Sequence, residues 1–187
     1  MKVYYSFKIF NADKKLMKKT RKFRSRSFLK PFLYNYANYI GGQTNACSDV
    51  GGVSRSTSAS IPSCIHPGLN SFGASDSQGI QVGTNNTAVT LTDYKLNTKI
   101  LHGTTSGKLE HLGTYVRNLT VGASTASFDL ECMFKNAHAT DSVVIAESGI
   151  YGVNSYYFCL VRDVLASTVT VAAGEYLLVT YTIQVSV

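Results

Sequence analysis

The segment spanning residues 79–103, GIQVGTNNTAVTLTDYKLNTKILHG, combines glycines with small polar residues and the acidic–aromatic pair Asp93-Tyr94. Such a composition could cradle a phosphate, because glycine-rich turns present backbone N–H groups to an anion. The spacing argues against this chemistry. The first two glycines read Gly-x-x-x-Gly-Thr, without the Gly-Lys-Ser/Thr ending of a phosphate loop, and no helical pattern follows. The glycines are therefore expected to flank a strand.

No other spacing of residues in the sequence indicates acid–base or nucleophilic catalysis. There is no Gly-x-Ser-x-Gly elbow, although a Ser-His-Asp set could still form in space, since triads are not recognised by sequence position. Asp129 and Glu131 share one face of a predicted strand, where they form either a carboxylate pair or part of a solvated surface. The four histidines are scattered along the chain as His66, His102, His111 and His138.

The four cysteines are too few for a disulfide scaffold in a chain of 187 residues. Cys132 and Cys159 lie in apolar strand-like runs and fit small buried side chains. Cys47, Cys64 and His66 share a polar stretch and could meet at a metal ion, but no Cys-x-x-Cys pair supports this. We therefore predict a protein without an active site, a metal or another cofactor.

The net charge of +7 is distributed unevenly along the chain. Residues 1–40 contain eleven Lys and Arg and a single acid, which gives +10, whereas residues 41–187 contain seven basic and ten acidic residues, which gives −3. Two interpretations of this basic arm (residues 1–40) stay open. It is either a solvated hairpin at a sheet edge or a segment that contacts nucleic acid or an acidic neighbouring subunit. The candidate contact residues are Lys14, Lys15, Lys18, Lys19, Arg21, Lys22, Arg24 and Arg26.

No targeting signal or membrane span is visible in the sequence. The apolar start VYYSFKIF is short, contains Lys8 and runs into NADKKLMKK without a cleavage site. No apolar run approaches the length that crosses a bilayer. We therefore expect folding in a cytoplasm and no membrane partner.

The N-terminal part of the chain predicts a hairpin followed by a helix. Residues 2–10 alternate in polarity, NADKK is a turn signal, and LMKKTRKFR predicts a basic returning strand at a sheet edge. SFLKPFLYNYANYI has apolar residues at helical spacing and a Gly-Gly stop. Ser27 is a candidate cap, but Pro31 fits only in the first turn, which offers Lys30 as an alternative start. Residues 41–78 are rich in Ser and Gly and show no period, which predicts a linker, an exposed loop or a segment ordered by a partner.

Residues 79–187 read as an all-β domain. Short strands with turn signals between them are typical of an antiparallel β-sandwich or jelly roll. SFDLECMF and YLLVTYTIQVSV show clear alternation, whereas DSVVIAESGIY and YYFCLVRDVL are apolar enough for central strands. We therefore predict a mainly β protein with a basic hairpin and one short helix (residues 1–40), a loop or linker (41–78) and a sandwich domain (79–187).

Four segments of this domain resemble a group of small structural proteins of tailed bacteriophages and prophages. They are the segment of residues 79–103, ESGIY, YYFCLVRDVL and VTVAAGEYLLVTYTIQVSV. Members of the group typically show a Gly-x-x-Val-Gly-Thr strand, an Asp-Tyr-x-Leu step, a Glu-x-Gly-apolar-Tyr strand, an Arg-Asp strand and a Val-x-x-Gly-Glu-x-Leu-x-Val-x-Tyr end. The resemblance covers residues 79–187, and RSRSFLKPFLYNY is similar to the helix that precedes the β-domain in that group.

The resemblance implies a non-enzymatic virion protein, assembled in the host cytoplasm and present in many copies as a capsid-surface, decoration, other head or tail component. Its implied partners are copies of itself, as a homo-oligomer, and other virion proteins, while the basic arm leaves nucleic acid open. The contrasting interpretation is a receptor- or carbohydrate-binding module of a fibre or spike. That module would need Tyr151, Tyr156 and Tyr157 as an exposed aromatic platform, although cross-strand packing also accounts for these tyrosines.

Overall fold

The computed structural model describes residues 1–25, 27–41, 45–57, 75–154 and 156–187. These residues form strands and a single helix, α1 (Lys30–Gly41), so the predicted mainly β class is confirmed. The strands are β1 (Lys2–Phe10), β2 (Leu16–Lys19), β3 (Phe23–Ser25), β4 (Asn45–Ser48), β5 (Ser54–Thr57), β6 (Gly79–Gly83), β7 (Glu110–Val121), β8 (Thr125–Lys135), β9 (Val143–Asn154), β10 (Tyr156–Val171) and β11 (Tyr176–Ser186).

Two antiparallel sheets form the body of the protein. The larger sheet has six strands in the order β2-β1-β11-β8-β7, with β3 also paired to β1, and the smaller has the order β10-β9-β6. β1 pairs with β11 along its whole length, from Lys2 opposite Gln184 to Phe10 opposite Tyr176. The basic hairpin is therefore continuous with the main sheet, and the division of the chain at residue 40 stays a prediction.

The core lies between the two sheets because alternate residues of their strands are apolar. In β1 the alternate residues Val3, Tyr5, Phe7 and Ile9 are buried, in keeping with the alternation of residues 2–10. β8 and β11 follow the same alternation, and the smaller sheet supplies the opposing layer. The buried core residues that β8, β11 and the smaller sheet contribute include Leu130, Cys132, Phe134, Leu177, Val179, Tyr181, Ile80, Val82, Ile145, Phe158 and Val161.

The helix begins at Lys30 with Pro31 in its first turn, so the later of the two predicted starts is confirmed. The predicted Ser27 cap is wrong, because Leu29 occupies the position before the helix. Proline suits this position because its missing N–H would have no partner within the helix. Ahead of the helix, Leu29 is fully buried and its N–H donates to the carbonyl of Leu160 (3.0 Å), which fixes this segment to β10. The start of α1 is thereby anchored on the smaller sheet.

The Ser/Gly-rich segment differs from the expected loop, because β4 and β5 form a two-stranded hairpin within it. Asp49 closes the turn: its Oδ1 accepts hydrogen bonds from the N–H groups of Gly51 (2.9 Å) and Val53 (3.0 Å). Its Oδ2 accepts from Arg55 Nε at 2.9 Å. A single side chain thus supplies the local order that the residue pattern did not indicate, and residues 58–74 lie outside the described chain.

Candidate functional site

The glycine-rich segment supplies β6, the edge strand of the smaller sheet, and the long loop that follows it. β6 is buried throughout and pairs with β9, and residues 84–109 then return along it, with Ile100 N–H donating to Val82 O (2.9 Å). Gly83 is required by close packing, since a Cβ there would lie 2.6 Å from Glu147 Oε1 and 2.6 Å from Thr98 O. The glycines therefore flank a strand, as expected, and make room for a buried carboxylate.

A buried ion cluster joins this loop to the sheet, and sequence reasoning did not find it. Arg162 on β10 is fully buried and donates from Nε to Glu147 Oε2 (2.8 Å) and from Nη1 to Asp93 Oδ2 (2.7 Å). Its Nη2 donates to the Thr87 carbonyl at 3.0 Å. Glu147 on β9 also accepts from the N–H of Thr98 at 2.9 Å. The signal was present: Glu147 in VVIAES and the adjacent Arg162 and Asp163 in YYFCLVRDVL are charged residues within largely apolar runs, which indicates buried ion pairing.

The electrostatics of the cluster favour its charged form. Burial on its own would raise the pKa of Asp93, but hydrogen bonds from the N–H and hydroxyl of Thr90 and from Arg162 outweigh it and hold that pKa below its ordinary value. Burial likewise opposes the charge of Arg162, yet Glu147 and Asp93 raise its pKa. Because the chain's own groups occupy these donors and acceptors, the arrangement anchors the loop and offers no unoccupied reactive group.

The proposed tyrosine platform is not formed as a set. Tyr151 is buried and its Oη accepts a hydrogen bond from Leu96 N–H at 2.6 Å, so its ring cannot belong to an exposed surface. Tyr156 and Tyr157 are each about two-fifths exposed, but as consecutive strand residues they point to opposite faces. The guanidinium of Arg55 lies 4.0 Å from the ring centroid of Tyr156 and covers part of it.

The candidate carboxylate pair lies on the outer face of the larger sheet. Thr182 Oγ1 donates to Asp129 (2.6 Å) and Thr180 Oγ1 donates to Glu131 (3.2 Å). A second oxygen of Asp129 accepts from Asn118 Nδ2 at 2.9 Å. Both carboxylates are thus engaged by neighbouring strands, in agreement with the surface interpretation.

A serine, an aspartate and a histidine do meet on the surface, in an order that does not activate a nucleophile. Ser106 Oγ donates to Asp141 Oδ2 (2.6 Å), and His138 Nδ1 lies 3.6 Å from the same carboxylate oxygen. In a catalytic triad the histidine stands between the serine and the acid. Here the acid is in the middle, and His138 Nδ1 accepts the Asp141 N–H (2.9 Å).

Two other histidines are brought together in the loop region. The rings of His102 and His111 meet edge to face with centroids 5.8 Å apart, and His102 Nδ1 accepts the backbone N–H of His111. Burial lowers the pKa of His111 to about 4, despite the Ser75 carbonyl and the Asp76 carboxylate nearby. His111 is therefore a neutral core histidine near pH 7.

No metal site emerges from the described ranges. Cys132 and Cys159 are buried, as predicted, and burial raises the pKa of both thiols. Cys47 is also buried, while Cys64 and His66 of the suggested metal set lie outside the described residues. Among the side chains that the structure describes, no group of three His, Cys, Asp or Glu could hold a metal ion.

The predicted contact cations line one edge of the larger sheet, on β2, β3 and the turns beside them. Seven of the eight are described, and all seven are exposed; Arg26 lies outside the described residues. Within the described chain none of the seven forms an ion pair, although Lys22 Nζ donates to Thr182 Oγ1 (3.2 Å) and Arg21 lies over the Phe23 ring. We call these seven the basic edge: Lys14, Lys15, Lys18, Lys19, Arg21, Lys22 and Arg24.

In comparisons with known proteins, no family model, no curated protein and no solved structure matches this chain. The resemblance to phage structural proteins therefore stays an expectation carried by the motif residues. No helix in the described residues combines the length and the apolar character needed to cross a membrane.

Proposed function

We propose that this chain is a non-enzymatic structural subunit, present in many copies in a bacteriophage head or tail, and that its basic edge contacts an anionic neighbour in the particle. The observation that carries the proposal is the basic edge itself. Seven exposed cations lie within residues 14–24, and none has an acidic partner among the described residues.

Clustered like charges favour a partner of opposite sign. The cations on neighbouring strands repel one another: Lys8 stands directly opposite Lys19 in the pairing of β1 with β2. An anionic surface would offset this repulsion and release the counterions held by the isolated edge. Lysines on an edge strand also discourage pairing with another strand, so the expected contact is electrostatic and does not extend the sheet.

The motif residues add a second line of support. Asp93, Glu147 and Arg162, which belong to three of the segments that resemble phage structural proteins, form the buried cluster. Tyr151, from the same segments, holds the loop through Leu96. These motif residues hold the loop on the sheet, so their polar groups are not available to bind a substrate. Such a role suits a structural protein.

The experiment measures binding of the purified chain to a labelled DNA duplex and to polyglutamate by fluorescence anisotropy across salt concentrations. The test variant carries Lys18→Glu and Lys19→Glu. The control carries Lys95→Glu and Arg117→Glu, which are exposed cations away from the basic edge and give the same change in net charge. We expect wild-type binding that weakens steeply with salt, with a slope of about −4 to −6 for DNA if five to six phosphates are contacted.

The charge-reversed edge should bind at least 10-fold more weakly at low salt and show a shallower slope, while the control stays close to wild type. The two polymers distinguish the neighbours: preference for DNA indicates nucleic acid, and comparable binding to polyglutamate indicates an acidic protein surface. Equal losses in both variants, or no binding to either polymer at low salt, would refute a role for the basic edge.

A further inference from the structure

Within the described residues, the larger sheet is apolar and uncovered at one end, where β7, β8 and β11 extend past the smaller sheet. Six large apolar residues are exposed there, two of them almost completely. We call this set the apolar end: Met1 (61% exposed), Val116 (40%), Leu119 (73%), Val121 (79%), Val185 (49%) and Val187 (107%). Val187 is held beside the β7–β8 turn, since its N–H donates to the Ser124 carbonyl at 3.1 Å.

Strand register shows that much of the apolar end continues the core face of the sheet. Val116 pairs with Leu130, a buried core residue. Val121 pairs with Ala126, and Ala126 pairs with Val185. Because cross-strand partners share a face and alternate residues return to it, Val121 and Val185 lie on the same side as Leu130. In the part of the chain that the structure describes, this end is therefore half of a sandwich core without a second layer.

A cavity lies between the two sheets at the same end of the molecule. Its volume is about 250 Å³, and all eleven residues that line it are apolar. The walls include Phe32 from α1 and Phe128 and Ile183 from the larger sheet, and Met1 and Val185 stand at its margin. An open apolar cavity beside exposed valines presents both a recess and projections to a partner.

The area is close to what a protein interface needs. With roughly 100 Å² of apolar surface on a fully exposed aliphatic side chain, the apolar end offers on the order of 400 Å². A standard interface takes about 800 Å² from each partner, of which a little over half is apolar, or roughly 450 Å². Patches of this size on a single chain mark interaction sites.

We propose that the apolar end binds the apolar end of a second copy of this chain about a two-fold axis. Each copy then supplies the layer that covers the other's overhanging sheet, so one self-complementary surface serves both. The six side chains carry no charge, and the two backbone charges at this end, the α-amino group of Met1 and the α-carboxylate of Val187, are of opposite sign. Two chains of net charge +7 can therefore meet there without a cluster of like charges. The proposal deepens the structural-subunit function and rests on it for the presence of many copies.

The experiment measures the mass of the purified full chain by sedimentation and light scattering over a range of concentrations, in 0.1 M and 1 M salt. The test variants are Val121→Asp and Val185→Asp, both at partly or largely exposed positions. The control is Val144→Asp, a valine of comparable exposure (43%) at the opposite end of the sandwich. Thermal unfolding confirms that each variant is folded.

We expect a wild-type dimer that is held or strengthened at 1 M salt, because the contact is apolar and charge repulsion is screened. Each test variant should weaken the dimer on the order of 100-fold, since the two-fold axis buries two carboxylates per substitution. Val144→Asp should leave the Kd within about 2-fold. If the protein is an oligomer whose stability is unchanged by Val121→Asp and Val185→Asp, the proposed interface is refuted but the structural-subunit function is not. A monomer at every concentration would refute the surface and also remove the self-assembly expected of a structural subunit.

Discussion

Replacing Arg162 by leucine tests whether the buried ion cluster holds residues 84–109 on the sheet. Arg162 and Glu147 are both fully buried, and the substitution removes the counter-charge of Glu147 while leaving it only backbone donors, among them the N–H of Thr98. Removing one partner of a buried pair costs about 3–5 kcal/mol, because the remaining charge stays desolvated. Since domains unfold with about 5–15 kcal/mol, this is a large fraction of the total.

Urea unfolding followed by far-ultraviolet circular dichroism gives the free energy of unfolding of each variant. The control is Lys135→Leu, which removes a lysine–glutamate pair with both side chains about one-third exposed, Lys135 with Glu110. We expect that control to lose about 0–1 kcal/mol, as surface pairs do. A further variant that combines Arg162→Leu with Glu147→Gln should recover part of the loss, because no uncompensated charge remains.

Limited proteolysis supplies an independent measure of the same anchor. If the cluster holds the loop, Arg162→Leu should open cleavage sites within residues 84–109 under conditions where the wild type resists. A loss below about 1 kcal/mol, or a loss equal to that of Lys135→Leu, would refute the reasoning. Such a result would mean that Glu147 is stabilised without Arg162 and that other contacts anchor the loop.

Two further predictions concern buried positions beside this loop. Because burial lowers the pKa of His111 to about 4 while the unfolded chain titrates near 6.5, the unfolded state binds more protons between these values, and stability should fall by about 3 kcal/mol as the pH drops from 6.5 to 4. His111→Phe should lack this part of the pH dependence in urea unfolding, and an unchanged profile would contradict it. Gly83→Ala should cost about 1–3 kcal/mol, since its Cβ would overlap Glu147 and Thr98, whereas Gly122→Ala has room and should be nearly neutral; equal effects on the thermal midpoint would disprove the close approach.

The strands and the helix could be predicted because their signals are local. β1, β8 and β11 alternate with a period of two and use that alternation to form the core. Pro31 and the apolar spacing around it place the start of the helix. The β4–β5 hairpin escaped prediction because its order depends on one side chain, Asp49, and not on a repeating pattern.

The candidate site was less predictable, because its contacts join distant parts of the chain. Arg162 lies 69 residues from Asp93, and no local pattern identifies that partner. Tyr151 and Tyr156 look alike in sequence, yet only the register of β9 against the loop shows that the first is buried. The apolar end is a similar case, since alternation predicts an inward face in β11 but not whether the opposite sheet is long enough to cover it.

The solution mass of the wild-type chain, measured by light scattering at low and at high salt, tests the central claim most directly. A structural subunit should form a discrete oligomer, with a mass that is a multiple of 20.3 kDa and that persists at high salt. A monomer at both salt concentrations, up to the highest attainable protein concentration, would contradict the account.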